Sequence, residues 1–428
     1  MTNRHSHTHP EAAPTRLPLR RWPKLVVLAL IAVCGAAAVL GVLRWWPDAD
    51  RVDSVRALVP FAVSGTKVVH GELLSVNLAC SGSESDAGIC GDSAVHVLDG
   101  PSAGTTQNIS LNADAISTGL RPGDRVLLLD SSGVKGKDSQ LPLSFYRADR
   151  GSSMVWFAVL FGVAVVVVAW RRGLMALVSL AFAAVAVVGF LIPALLSGEP
   201  AVPVALAAST LILIVMLYIT HGFSMRTSVA LAGALIGVGL STLFAWIGVI
   251  GWRLGGLGDE SGELLSMNVP WVDVQHLVVA SVILAGLGTL NDVTVTQASA
   301  LWELRAASPT MSRWELFWRA MRIGRDHVAS TVYTLVFAYL GTALVLIVAV
   351  QLYGGTAQDF LTAEDVAQEI ARALVGGLAL VLAMPVTTAI GALVVADAAG
   401  ALPLREPIAE RRAASELLRM PEDPWGAD

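Results

Sequence analysis

Charge is scarce in this chain of 428 residues: Asp, Glu, Lys and Arg make up 15% of it, against about a quarter in an ordinary soluble domain. That deficit excludes a disordered chain, which carries charge where a folded one carries apolar residues. The formal net charge is −5, so no basic field exists to hold a nucleic acid. Cysteine is nearly missing, with only Cys34, Cys80 and Cys90, which rules out a disulfide-dense scaffold. Soluble-enzyme motifs are scarce too. Gly133-Val134-Lys135-Gly136-Lys137 lacks the spacing of a phosphate-binding loop, no HExxH or CxxC occurs, and Gly-x-Ser-x-Gly occurs once, as Gly100-Pro101-Ser102-Ala103-Gly104, among turn residues and not between a strand and a helix. No enzyme, metal site or cofactor is expected from these residues, so any work the chain does needs an ion gradient or a partner.

What is present is apolar length. The mean hydropathy is +0.64, and it is concentrated in runs long enough to cross a hydrocarbon layer of about 30 Å. The runs at 25–43, 154–170, 174–196, 201–219, 228–250, 277–296, 328–352 and 373–396 predict eight spans. The first resembles a signal peptide, but it is long for one. Arg44-Trp45-Trp46-Pro47 also stands where a small-residue cleavage site would be. Sorted by this topology, 17 cations fall on one side and only Arg253 and Arg372 in the short loops of the other, which predicts both termini in the cytoplasm. The expected fold is an α-helical polytopic protein of the bacterial plasma membrane, with the lipid bilayer as its main partner. It comprises a tail at 1–24, a first span at 25–43, an outer domain at 44–153, a seven-helix bundle at 154–396 and a tail at 397–428.

The outer segment reads as β. Val68–Leu78, Ala94–Leu98, Gln107–Leu111, Arg125–Leu129 and Leu143–Tyr146 are short apolar or alternating runs between turn residues, as in a small barrel or sandwich. Cys80 and Cys90 bracket a Ser/Gly-rich loop and are candidates for a disulfide or for two unpaired thiols; Cys34, in the first span, reads as a packing residue. His5, His7 and His9 alternate in the N-terminal tail and read as disordered.

The most informative stretch is Val278–Gly341. A span beginning near Leu277 places Asn291 and Asp292 within the inner leaflet, where a carboxylate costs roughly 2.5–3.5 kcal/mol and should face protein or water. Ala285, Gly288, Thr289, Asp292, Thr296 and Ser299 follow helical steps as a small, polar stripe. On the next span His327, Thr331, Thr334, Ala338 and Gly341 form another, with Arg325 and Asp326 just before it. This pattern predicts Asp292 paired with Arg325, either as a proton or ion relay or as a static clamp between two helices. Between them Ser312-Arg313-Trp314-Glu315 reads as a capping box, and Trp314, Phe317, Trp318 and Met321 as one face of an amphipathic helix near 312–323 lying in the membrane plane, either as an anchor or as a lever. Gly233, Gly237, Gly376, Gly377 and Gly391 read as helix-packing positions, and Pro385 with Thr387 and Thr388 as a kink.

Ser144–Arg150, Trp170–Leu177, the run Leu290-Asn291-Asp292-Val293-Thr294-Val295-Thr296-Gln297 with its continuation to Leu304, and Ile323–His327 together resemble the YibE/F family of bacterial integral membrane proteins over about 65–400. That resemblance implies a membrane protein without an assigned substrate. Gly288–Val295, followed by an amphipathic segment and Arg325, is also similar to the protein-export subunit of the RND superfamily, SecF. There the acidic and arginine positions that match Asp292 and Arg325 take part in proton-driven movement. This chain departs from that pattern: it has two more predicted spans, and Ser299 falls near the place of a second acidic residue. The functional expectation is secondary transport or proton-gradient-driven work, with Asp292 titrating, Arg325 as counter-charge and Asn291, Thr294, Thr296 and His327 around them. The rival expectation is a scaffold or sensor that binds an envelope partner through its outer domain.

Overall fold

Runs of apolar residues without water must close their backbone hydrogen bonds internally, so in this chain they become helices. The computed structural model describes residues 17–58, 67–77, 89–112, 115, 118–131, 143–258, 260–352 and 356–396. The histidines of the N-terminal tail, the C-terminal tail from 397 and Cys80 lie outside them. Cys90 enters only as backbone of a strand, so the disulfide expectation also falls outside what is described.

Helix α1 (Arg21–Arg44) leads through a short helix, α2 (Ala49–Leu58), into five antiparallel strands, β1 (Lys67–Leu73), β2 (Ile89–Val97), β3 (Thr106–Asn112), β4 (Arg125–Asp130) and β5 (Leu143–Ala148). The strands overlap the five runs expected, but β1 ends at Leu73 and not Leu78, and β2 begins at Ile89 and not Ala94. Their order is β3-β2-β1-β4-β5, and β3 curls round to approach β5. With β1 between β2 and β4, this is the order of a small five-stranded barrel of OB type, left partly open. Alternate side chains Val69, Leu73, Val95, Val97, Ile109, Leu111, Val126, Leu128 and Leu143 fill its interior. At Gly71 a Cβ would lie 2.7 Å from Val95 Cγ2 and 2.9 Å from Leu128 Cδ1, so the tight centre of β1 admits no side chain there.

The chain returns to the bundle through α3 (Gly151–Leu196), 46 residues long. It is not straight. Trp170 has φ 51° and ψ −130°, and a Cβ on Gly173 would lie 2.3 Å from the carbonyl oxygen of Val165, eight residues back. A straight helix would separate these residues by about 12 Å, so α3 folds back on itself at Trp170. The far end of α3 agrees: Ser197 Oγ accepts from the Asp48 N–H at 3.1 Å, and Arg51 donates to the Ser197 carbonyl at 2.8 Å. Both arms of α3 therefore have their open ends where α1 gives way to the barrel.

Then follow α4 (Ala201–His221), α5 (Met225–Gly251), α6 (Glu260–Asn268), α7 (Val274–Ala285), α8 (Leu287–Ala307), α9 (Arg313–Thr342), α10 (Leu344–Leu352), α11 (Ala357–Thr362) and α12 (Glu364–Val394). Among the described residues six helical segments are long and apolar enough to cross a membrane, where the sequence predicted eight spans. The difference has two sources. The spans expected at 154–170 and 174–196 are the two arms of α3. The run at 328–352 is interrupted at Ala343, and α9 carries too many polar residues to count alone.

At the centre α5, α8 and α12 pack on one another, with α4, α7 and α9 around them and α1 and α3 outside. Small residues allow the approach. A Cβ on Gly233 would lie 2.0 Å from Thr387 Oγ1, and one on Gly237 2.7 Å from Leu290 Cδ2. The first and last of the described residues also meet. Arg20 N–H donates to the Val394 carbonyl and Ala396 N–H to the Pro18 carbonyl, both at 2.9 Å, so α1 begins at the bundle end where α12 finishes.

Candidate functional site

The cluster marked by the sequence lies where α8 faces α9. Helix α8 buries Leu290, Val293, Thr294, Gln297, Ala298 and Leu301 against α5 and α12, which turns Asp292 to the opposite side. Its side chain is 61% exposed, and its Oδ2 lies 3.4 Å from Nε2 of His327, itself 31% exposed. The two groups are within ion-pair distance without the alignment of a hydrogen bond, because among the described residues the buried Nε2 has no hydrogen-bond partner. Oδ1 of the neighbouring Asn291 is likewise buried without one.

The partner of Asp292 is therefore His327 and not Arg325. Two residues separate them on α9, about 200° of helical turn, so when His327 faces α8 the Arg325 side chain faces away. Its guanidinium lies 5.8 Å from the ring centroid of Trp318, a cation–π contact. Thr294 is fully buried and donates to the Leu290 carbonyl at 2.8 Å, which uses its hydroxyl on its own helix. Thr296 is half-buried beside the cluster.

The two polar stripes do not form a close-packed seam. Ala285, Gly288 and Asp292 are exposed, and a Cβ on Gly288 would meet nothing within 4 Å. On α9 the buried positions are Leu316, Ala320, Gly324, Thr331 and Leu335, leaving Thr334, Ala338 and Gly341 outside. Crossing helices share only a limited seam, and the straight stripe departs from it beyond Thr331. The amphipathic segment expected at 312–323 is the first part of α9, continuous to Thr342. Ser312 caps it by accepting from the Glu315 N–H at 3.2 Å, while the Glu315 carboxylate takes Arg319 instead of closing the box.

Beneath the pair lies a junction that sequence reasoning missed. Gln297 donates through Nε2 to the Ala320 carbonyl of α9 at 3.0 Å and to Thr388 Oγ1 of α12 at 2.7 Å. Gly324 makes room, since a Cβ there would stand 2.6 Å from Gln297 Oε1. A further omission is Arg305, 1% exposed, which donates to the carbonyls of Pro309 at 3.1 Å and Met311 at 2.5 Å and so holds the turn from α8 to α9. A long polar side chain close in sequence to the apolar core is the signal that marks both positions. Among the described residues no three of His, Cys, Asp and Glu come together as a metal site.

Chemically, an acid and an imidazole on different helices, close but not locked, can exchange a proton or release one another as the helices shift. Residues 157–397, more than half of the chain, match the family model described as YibE/F-like protein. No curated protein and no solved structure matches the chain.

Proposed function

The chain belongs to the YibE/F-like family, and from that premise we propose that it couples a proton gradient across the bacterial plasma membrane to secondary transport or to conformational work. Asp292 is the titrating carboxylate in this reading and His327 its partner. One observation carries it: the 3.4 Å approach of Asp292 Oδ2 to His327 Nε2 across α8 and α9 without a hydrogen bond, with the carboxylate left open. A purely structural clamp would be dry and fully bonded, because a buried ion pair repays its desolvation only when its lone pairs are satisfied.

The proposed topology has eight crossings, with both termini in the cytoplasm and the barrel outside. Its supports are the reversal of α3 at Trp170, the meeting of the α1 entry with the α12 exit, and the cation asymmetry. Arg325 then serves as a cation held on Trp318 and not as the counter-charge. The second reading is a scaffold or sensor that binds an envelope protein through the barrel, favoured by the exposed apolar residues Val68, Leu74, Leu98 and Tyr146 on its surface.

Proton flux into liposomes under an imposed pH gradient separates the two. The coupled reading expects flux in the native protein, lost in Asp292→Asn and reduced in His327→Gln while both variants remain monodisperse. Absence of flux in the native protein, or native flux in Asp292→Asn, overturns it in favour of the scaffold.

A further inference from the structure

A cavity lies far from Asp292, at the end of the bundle that carries the barrel. It measures about 510 Å³ and sits between the turn joining α3 to α4, the last turns of α5 and the start of α7, a volume within the usual range for small-molecule sites. Its floor is apolar, supplied by Leu195, Val202 and Pro203, and its walls carry the indoles of Trp246 and Trp271. The polar groups facing it are Glu199, Asp273 and His276. Among the described residues no lysine or arginine lines it; Arg51, close by, is turned onto the Ser197 carbonyl.

These walls are positioned by the backbone. Trp271 Nε1 donates to the Leu196 carbonyl at 3.1 Å. Gly198, at φ +84°, lets the turn come so close that a Cβ would stand 2.8 Å from Trp271 Cδ1. Asp273 caps α7 by accepting from the His276 N–H at 3.1 Å, and its Oδ2 lies 2.6 Å from His276 Nδ1. Burial raises the Asp273 pKa, but the hydrogen bonds and charge of His276 lower it further, so the net direction is down and the carboxylate stays ionised.

We propose that this cavity binds an organic ammonium cation: the Trp246 and Trp271 rings take the charge on their faces, Glu199 and Asp273 neutralise it, and the apolar floor accepts its methyl or methylene groups. An uncharged apolar ligand would gain no charge pairing from Glu199 and Asp273, and an anion would be repelled by them. The ammonium could belong to a free amine or to an aminophospholipid headgroup, since the cavity lies at the end of the bundle and not at its middle. The inference does not depend on Asp292 and stands or falls separately from the proton-coupled reading.

The test is calorimetric titration of choline into the full-length protein in phosphatidylglycerol nanodiscs, which contain no ammonium headgroup. Saturable binding is expected, with the uncharged carbon isostere dimethylbutanol binding at least about tenfold more weakly. Glu199→Gln, Asp273→Asn and Trp271→Leu should each weaken choline by about three- to tenfold. Asp273→Asn retains a good helix N-cap, and Glu199→Gln is isosteric on a turn, so both should fold. Replacing half of the lipid by phosphatidylethanolamine distinguishes the sources. Competition assigns the site to the headgroup and unchanged binding assigns it to a free amine, and both outcomes uphold the ammonium site. Absence of saturable choline binding, equal affinity for the isostere, or native affinity in both carboxylate variants overturns the proposal.

Discussion

Gly233→Ala isolates the contact that brings α5 against α12. The added Cβ would stand 2.0 Å from Thr387 Oγ1, 2.9 Å from Thr387 Cβ and 3.2 Å from Thr387 Cγ2. Thr387 is fully buried and donates its hydroxyl to the Ala383 carbonyl at 2.7 Å. Rotating it away costs that bond, about 1 kcal/mol, and still leaves the Cβ–Cβ approach, so the helices must separate. Overpacking of this kind costs about 1–3 kcal/mol, while the better helix propensity of alanine returns up to about 1 kcal/mol. The net expectation is a loss of about 2 kcal/mol. Unfolding by SDS in mixed micelles measures it, and the same substitution in a Thr387→Ala background should cost roughly half as much, because Oγ1 and Cγ2 are then gone and only Cβ remains. A loss below about 0.5 kcal/mol, or an equal loss in both backgrounds, would refute the claim that this glycine sets the separation of the two helices.

Gln297→Leu removes the donor shared by α9 and α12 and should destabilise the bundle by about 1–3 kcal/mol in the same micelle assay; a neutral result would mean that the Ala320 and Thr388 contacts carry no net energy. Arg305→Met leaves the Pro309 and Met311 carbonyls without their buried donor and should cost about 3 kcal/mol, read also as faster hydrogen exchange across the turn from α8 to α9. In the barrel, the His70 backbone N–H at 2.6 Å and the His70 ring at 2.7 Å hold the Asp99 carboxyl below its ordinary pKa. A lowered pKa stabilises the fold above the unfolded value, near 4, and the contribution disappears as pH falls through the folded value. Protection of the β1 amides in the whole protein should therefore drop below pH about 4, and Asp99→Asn should flatten that dependence; an unchanged profile in the variant would remove Asp99 as its cause.

The strands illustrate what a local signal carries. The apolar run of Arg125–Leu129 is buried almost throughout and Leu143–Tyr146 alternates between buried and exposed positions, so the strands could be placed, whereas the pairing of β1 with both β2 and β4 joins residues distant in sequence and could not. Asp292 was legible as a carboxylate in an apolar run, because that anomaly is local. Its partner was not. Arg325 and His327 stand two residues apart, either of them was a plausible counterpart by charge, and only the rotation of α9 about its axis decides which side chain reaches α8. Gln297 and Arg305 were passed over for a related reason: an amide or guanidinium in an amphipathic stretch reads as surface until the neighbouring helix is seen to cover it.

By itself the sequence determined the solvent. Scarce charge and long apolar runs require helices whose backbones are satisfied within the bilayer, and a turn-rich polar insert requires a separate β domain. Tertiary structure alone decided the contacts: the reversal at Trp170, the approach of His327 and not Arg325 to Asp292, the bridge from Gln297 to Thr388 and the cavity lined by Trp246 and Trp271. Each depends on how one element is rotated against another, and a one-dimensional periodicity fixes the face of a helix without fixing what that face meets.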